Sequence, residues 1–159
     1  MARTTGKRIG ALGWALRGAA AGAAGTTALN VVTYLDMAAR GRPASSTPQN
    51  TVERLAETAH LSVPGQGATR TNRVEGLGAL TGLVAGIGVG GLVGLARVAG
   101  FRAGTLLTTG IVLISTNGPM TVLRVTDPRT WSVTDWISDL VPHLAYGAVV
   151  TTTLDALEG

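Results

Sequence analysis

Four stretches of this chain carry no charge, and its charges crowd into the gaps between them. The uncharged runs lie between Arg17 and Asp36, Glu75 and Arg97, Arg102 and Arg124, and Asp139 and Asp155, and hold 18, 21, 21 and 15 residues. A soluble amphipathic helix sets a charge on its exposed face every turn or two, and these runs do not. Twenty-one residues at the helical rise make about 31 Å, close to the roughly 30 Å hydrocarbon core of a bilayer. The pattern therefore predicts an all-α fold. It reads as an integral membrane four-helix bundle, with a short interfacial helix between the first and second spans. The spans fall near residues 17–37, 76–96, 103–123 and 136–155, with a polar loop over 40–73, all in one membrane domain over 1–159.

Glycines mark where helices come close. Gly78, Gly82, Gly86, Gly90 and Gly94 stand four apart in the second span. In water each would weaken a helix by up to about 1 kcal/mol. In lipid they open a groove against which another backbone packs, either inside one bundle or between chains. Gly18 and Gly22 form a matching small-residue pair in the first span. That span ends at Gly41 and Pro43. Asn50 to Glu53 has cap-like spacing and precedes Leu55, Ala56 and Ala59, so a surface helix is expected there, closed by Pro64. The third span is expected to break at Ser115, Thr116, Asn117, Gly118 and Pro119, because proline removes a backbone donor and crowds the turn before it. The fourth opens on a capping box, Ser132 with Asp135, flanked by the interfacial anchors Trp131 and Trp136, and is expected to kink at Pro142.

Few residues offer chemistry. Asp139 and His143 are one helical turn apart and read either as a proton relay or half of a metal site, or as a hydrogen-bonded pair ordering a helix end. Asn30 and Asp36 sit in and at the end of the first span. Asn30 suits a bond to another helix, and Asp36 suits an ion pair with Arg40. Asn117, beside Pro119, lies where unwound carbonyls would line a cavity, or where a kink merely improves packing. No G-x-S-x-G, H-E-x-x-H or Walker A pattern is present. Gly86 to Gly91 fits G-x-G-x-x-G only as part of the hydrophobic ladder. No catalytic residue, cofactor or metal site is therefore expected, and the chain reads as not an enzyme.

Composition narrows the partners. With no cysteine, disulfides and thiolate ligands are excluded, and His60 and His143 are the only histidines. The 13 Lys and Arg are spread along the chain and lack an accompanying stripe of aromatic residues, so they read as flanks of membrane spans meeting anionic lipid, not as a nucleic-acid surface. The bilayer is the expected partner, with a second copy or a membrane partner subunit as candidates for the glycine groove. Arg3, Lys7 and Arg8 precede an apolar run too short for a signal peptide, because Arg17 interrupts it. Lys and Arg divide six to seven between the two sides of a four-span topology. The dense N-terminal cluster points both termini to the cytoplasm of an inner membrane.

The run His143-Leu-Ala-Tyr-Gly147, with the glycine-rich first span, resembles small bacterial inner-membrane proteins of the YagU type. Val150, Thr151 and Thr152 follow where that group often has a further glycine and a tyrosine. The segment from Thr33 to Ser46 is similar to uncharacterised membrane proteins of actinobacteria. These resemblances imply a small multi-pass membrane protein and supply no catalytic residues. The expectation is a non-enzymatic inner-membrane protein with a packing or assembly role. The alternative is a small transporter or channel for ions or protons, using the broken third span with Asp139 and His143.

Overall fold

The structure, a computed structural model, describes residues 9–158. The basic cluster Arg3, Lys7 and Arg8 lies outside the described residues. Five helices follow one another: α1 (Ala11–Arg40), α2 (Thr47–Thr58), α3 (Gly67–Ala96), α4 (Thr105–Val122) and α5 (Val133–Glu158). Single 3₁₀ turns follow α3 and precede α5, and no strand occurs among the described residues. One segment, Gly67–Ala99, is by itself long and apolar enough to cross a membrane, and 28% of its most apolar window is buried in the protein.

Helix α1 is the centre of the molecule, packed on α3 along one side and on α5 along the other. Helix α4 lies against α5, and α2 lies against α3. The pairings run antiparallel: Gly18 meets Gly90 and Gly94, while Gly22, further along α1, meets Gly86 and Gly90. Likewise Thr109 of α4 lies against Gly147 of α5, while Asn117 reaches back to Asp139. The inner surface is built from small and β-branched residues, with Ala21, Val89, Val93, Val112 and Val150 around Trp14, Tyr146 and Leu154.

The glycine ladder does not face one partner. Four residues turn a helix by 400°, so each rung drifts by about 40°, and the five rungs spread over about 160°. Gly86, Gly90 and Gly94 accordingly face α1 of the same chain, Gly78 faces Pro48 at the start of α2, and Gly82 has no neighbour within 4 Å.

Several boundaries differ from the sequence reading. Helix α3 starts at Gly67 instead of emerging from a loop near residue 76. Its polar first turns are held by Arg70, which donates to Glu53 at 2.7 Å, and by Arg73, which donates to the Pro64 carbonyl at 2.8 Å. Helix α2 begins at Thr47, three residues before Asn50, with Pro48 in its first turn where a missing amide costs nothing. It ends before His60, which is left-handed at φ 54°, so the helix stops short of Pro64. The expected break in the third span is absent. Helix α4 runs through Pro119 to Val122, giving up the one amide bond that the proline cannot donate to the turn before it. The Asn117 carbonyl accepts from the Thr121 hydroxyl at 2.7 Å, and Leu123 N donates to the Pro119 carbonyl at 2.9 Å. Helix α5 likewise continues through Pro142.

Candidate functional site

The antiparallel packing sorts the charges of the long helices into two ends. At one end Arg97, whose side chain is 2% exposed, donates to Asp155 at 2.5 Å and pairs with Glu158, which also takes Arg102. Arg97 and Arg17 both place their guanidinium groups over the Trp14 ring, 5.7 and 5.6 Å from its centroid. This array ties α3, α1 and α5 together where the chain would otherwise leave a buried cation unpaired.

The opposite end, where α2 lies, holds the polar cluster. A cavity of about 460 Å³ opens between α1, α4, α5 and the start of α2. Leu29, Met120 and Pro142 give it apolar walls, and Arg40, Asn117, Asp139 and His143 are among its polar ones. Asn117 Nδ2 donates to Asp139 Oδ2 at 2.8 Å, joining α4 to α5. His143 sits one turn further along α5, with Nδ1 at 2.7 Å from the Asp139 carbonyl and 3.4 Å from its carboxylate. Its Nε2 lies 3.4 Å from Thr116 Oγ1, and Thr116 itself donates to the Val112 carbonyl at 2.9 Å.

At the cavity mouth, Asp36 accepts from Arg42 at 2.6 Å and pairs with Arg40, as its spacing predicts. Arg40 also donates to Ser138 Oγ at 2.6 Å, pinning the end of α1 to α5 beside Asp139. The capping box forms: Ser132 N donates to Asp135 at 2.9 Å, and Asp135 N donates back to Ser132 Oγ at 3.2 Å. The hydroxyl and amide of Ser132 hold the Asp135 carboxyl below the usual carboxylate range, and the Arg40 charge adds to this. Trp131 and Trp136 pack edge to face, 5.0 Å between centroids.

The residues singled out from the sequence thus divide. Asn117, Asp139 and His143 meet in one cluster, Asp36 stands at its mouth through Arg40, and Asn30 is not among the cavity's lining residues. Gly18, Gly22, Gly86, Gly90 and Gly94 form the α1–α3 contact, Gly78 faces α2 and Gly82 faces outward. Among the described residues, no three His, Asp or Glu side chains gather in a way that could hold a metal ion. Sequence reasoning missed Thr116 as a partner of His143, Arg42 as a second partner of Asp36, and Tyr146. The Tyr146 hydroxyl donates to the Gly86 carbonyl at 2.6 Å from a wholly buried position. Its spacing of three residues from His143 placed it on the same face, which was the available signal. In comparison with known proteins, no family model, no curated protein and no solved structure matches this chain.

Proposed function

We propose that this chain is a multi-pass membrane protein in which α1, α3, α4 and α5 cross the bilayer and α2 lies at its surface, with a non-catalytic packing or assembly role. The observation that carries the proposal is the inversion of its surface. Large apolar side chains point outward from all four long helices: Leu16 62%, Val84 69%, Ile114 74% and Leu140 45% exposed. The interior contacts fall instead mostly to Gly, Ala, Val and Thr, with Trp14, Tyr146 and Leu154 the large side chains among them, as suits helices whose backbones approach closely in lipid. A core helix of a soluble protein buries its apolar length, whereas the most apolar window of α3 is 28% buried. Threonine hydroxyls such as Thr26 and Thr109 donate to carbonyls one turn back, which hides them without a solvent partner.

An assembly role would use faces other than the ladder rungs that α1 occupies. Gly76, Gly82 and Gly88 of α3 have no neighbour within 4 Å, and each is a smooth outward position open to a helix of a second copy or a partner subunit. Alkaline carbonate extraction of native membranes should leave the protein in the pellet, and release into the soluble fraction would contradict the membrane reading. In mild detergent, a discrete oligomer that Gly82→Leu disperses supports self-association, and a monomer at every concentration contradicts it.

The meeting of Asn117, Asp139 and His143 favours ion or proton passage as a second reading. Inward of the cluster, Val112, Tyr146 and Val150 are at most 1% exposed, so passage would require these helices to part. Flux in proteoliposomes that Asp139→Asn and His143→Ala abolish supports this reading, and flux that survives both removes their role.

A further inference from the structure

We infer that His143 is a proton-binding site reached from the α2-end cavity, with the Thr116 hydroxyl turning to satisfy the imidazole in both of its charge states. The inference goes beyond the membrane reading and does not require passage, since a site open on one side binds a proton without conducting it.

Donor and acceptor accounting fixes the states. The Asp139 carbonyl, 2.7 Å from Nδ1, can only accept, so Nδ1 carries a hydrogen whatever the charge of the ring. At Nε2 the partner is Thr116 Oγ1, 3.4 Å away. With the Thr116 hydrogen directed at the Val112 carbonyl, the oxygen offers Nε2 only lone pairs, which is the arrangement an imidazolium needs. When Nε2 loses its proton, the hydroxyl rotates and donates to it. The Val112 carbonyl still keeps its helical amide inside α4. Neither state leaves a buried polar atom of the ring orphaned, so the proton comes and goes without the cost that an unpaired buried group carries.

Charged groups of both signs face the cavity around the ring. On α5 the ring faces Asp139, which is 20% exposed, and further back Asp135. At the end of α1 and just beyond it the cavity presents Arg40 and Arg42, and both are held by Asp36. Thr116 and Asn117 of α4 are uncharged, as are Ser45, Thr47 and Pro48 around the start of α2. Among the described residues, His143 is the one cationic side chain within ion-pair distance of Asp139. The protonated ring therefore completes a neutral pair whose carboxylate Asn117 also binds, while the neutral ring leaves Asp139 with the Asn117 amide as its side-chain donor. Protonation thus strengthens the polar junction between α4 and α5.

The test is ¹⁵N NMR of the imidazole nitrogens in the full chain, in micelles or nanodiscs. The sequence has two histidines, and exposed His60 serves as an internal reference assigned by His60→Gln. The expected result is that His143 Nδ1 stays protonated at every pH, while Nε2 gains a proton on acidification. Its neutral form is then the Nδ1–H tautomer, opposite to the one an imidazole prefers in water and to that of His60. Thr116→Val, close to isosteric, should require more acid to protonate Nε2 by about half a pH unit, and Thr116→Ser should restore the original curve. An Nε2–H neutral tautomer at His143, no change of charge while His60 titrates in the folded protein, or a Thr116→Val curve that matches the parent would overturn the inference.

Discussion

Replacing Gly90 by alanine should weaken the α1–α3 contact, and the same replacement at Gly82, two turns away, should not. A Cβ built on Gly90 would stand 2.5 Å from the Gly18 carbonyl oxygen, 2.5 Å from Gly22 Cα and 2.6 Å from Gly22 N. All three are backbone atoms of a helix, so no side chain can swing aside. The two helices must separate by about 1 Å, and a gap of that size forfeits up to about half of each van der Waals contact along the seam. Forcing a methyl into a packed contact costs about 1–3 kcal/mol, against a gain of up to about 1 kcal/mol from the better helix propensity of alanine. At Gly82, where no atom lies within 4 Å, the propensity gain stands alone. Unfolding of the helical circular dichroism signal in detergent mixtures measures both variants. Gly90→Ala should lose about 1–2 kcal/mol, while Gly82→Ala holds or gains a few tenths. Equal effects at the two sites would refute the account of the ladder as a one-sided seam within the chain.

Three further outcomes follow from particular contacts. Tyr146→Phe removes the hydroxyl that bonds the Gly86 carbonyl from a position with no exposure, and should cost about 1 kcal/mol in the same unfolding assay; an unchanged midpoint would show that the bond contributes nothing. Arg97→Leu and Trp14→Leu should be non-additive in a double-mutant cycle by about 1 kcal/mol, because the guanidinium lies over the indole ring, and strict additivity would argue against that contact. The Asp135 carboxyl is held low in the folded state, so its contribution is present above the ordinary carboxylate range and is lost as pH falls through the folded value. The start of α5 should therefore loosen in acid, seen as faster amide exchange near Ser132, and Ser132→Ala should flatten that acid dependence.

Much of the architecture was legible in the residues, and what escaped has physical causes. Uncharged runs mark the long helices: three fall within α1, α3 and α5, and the run over 103–123 covers α4 and overshoots it by a residue or two at each end. Glycine spacing marks a close contact, but it gives a face and not a partner. That Gly18 and Gly22 complement Gly86, Gly90 and Gly94 depends on chain reversal, and the drift that turns Gly78 to α2 and Gly82 outward accumulates only over several turns. The expected break at Pro119 did not form, and neither Pro119 nor the mid-helix Pro142 interrupts its helix, because the helices packed on both sides outweigh the single amide bond each proline removes. The polar start of α3 read as loop because its support is remote in sequence: Glu53 holds Arg70 across 17 residues. At the candidate site, Asp139 with His143 followed from one-turn spacing. The link from Asn117 to Asp139 and the contact of Thr116 with His143 are tertiary, spanning 22 and 27 residues, and no local pattern announces them.

The segregation of charge to two ends of a bundle with an apolar, outward-facing waist is the central claim, and thiol mapping tests it most directly. The chain contains no cysteine, so each substitution introduces the sole thiol. In sealed native membranes, Leu83→Cys, Ile114→Cys and Leu144→Cys should stay unreacted toward a hydrophilic maleimide, although these side chains are 41%, 74% and 41% exposed from protein. Glu57→Cys and Val98→Cys should react, each from the opposite face of the membrane. Waist thiols that label as fast as Glu57→Cys and Val98→Cys would mean that water surrounds the bundle, and would contradict the account.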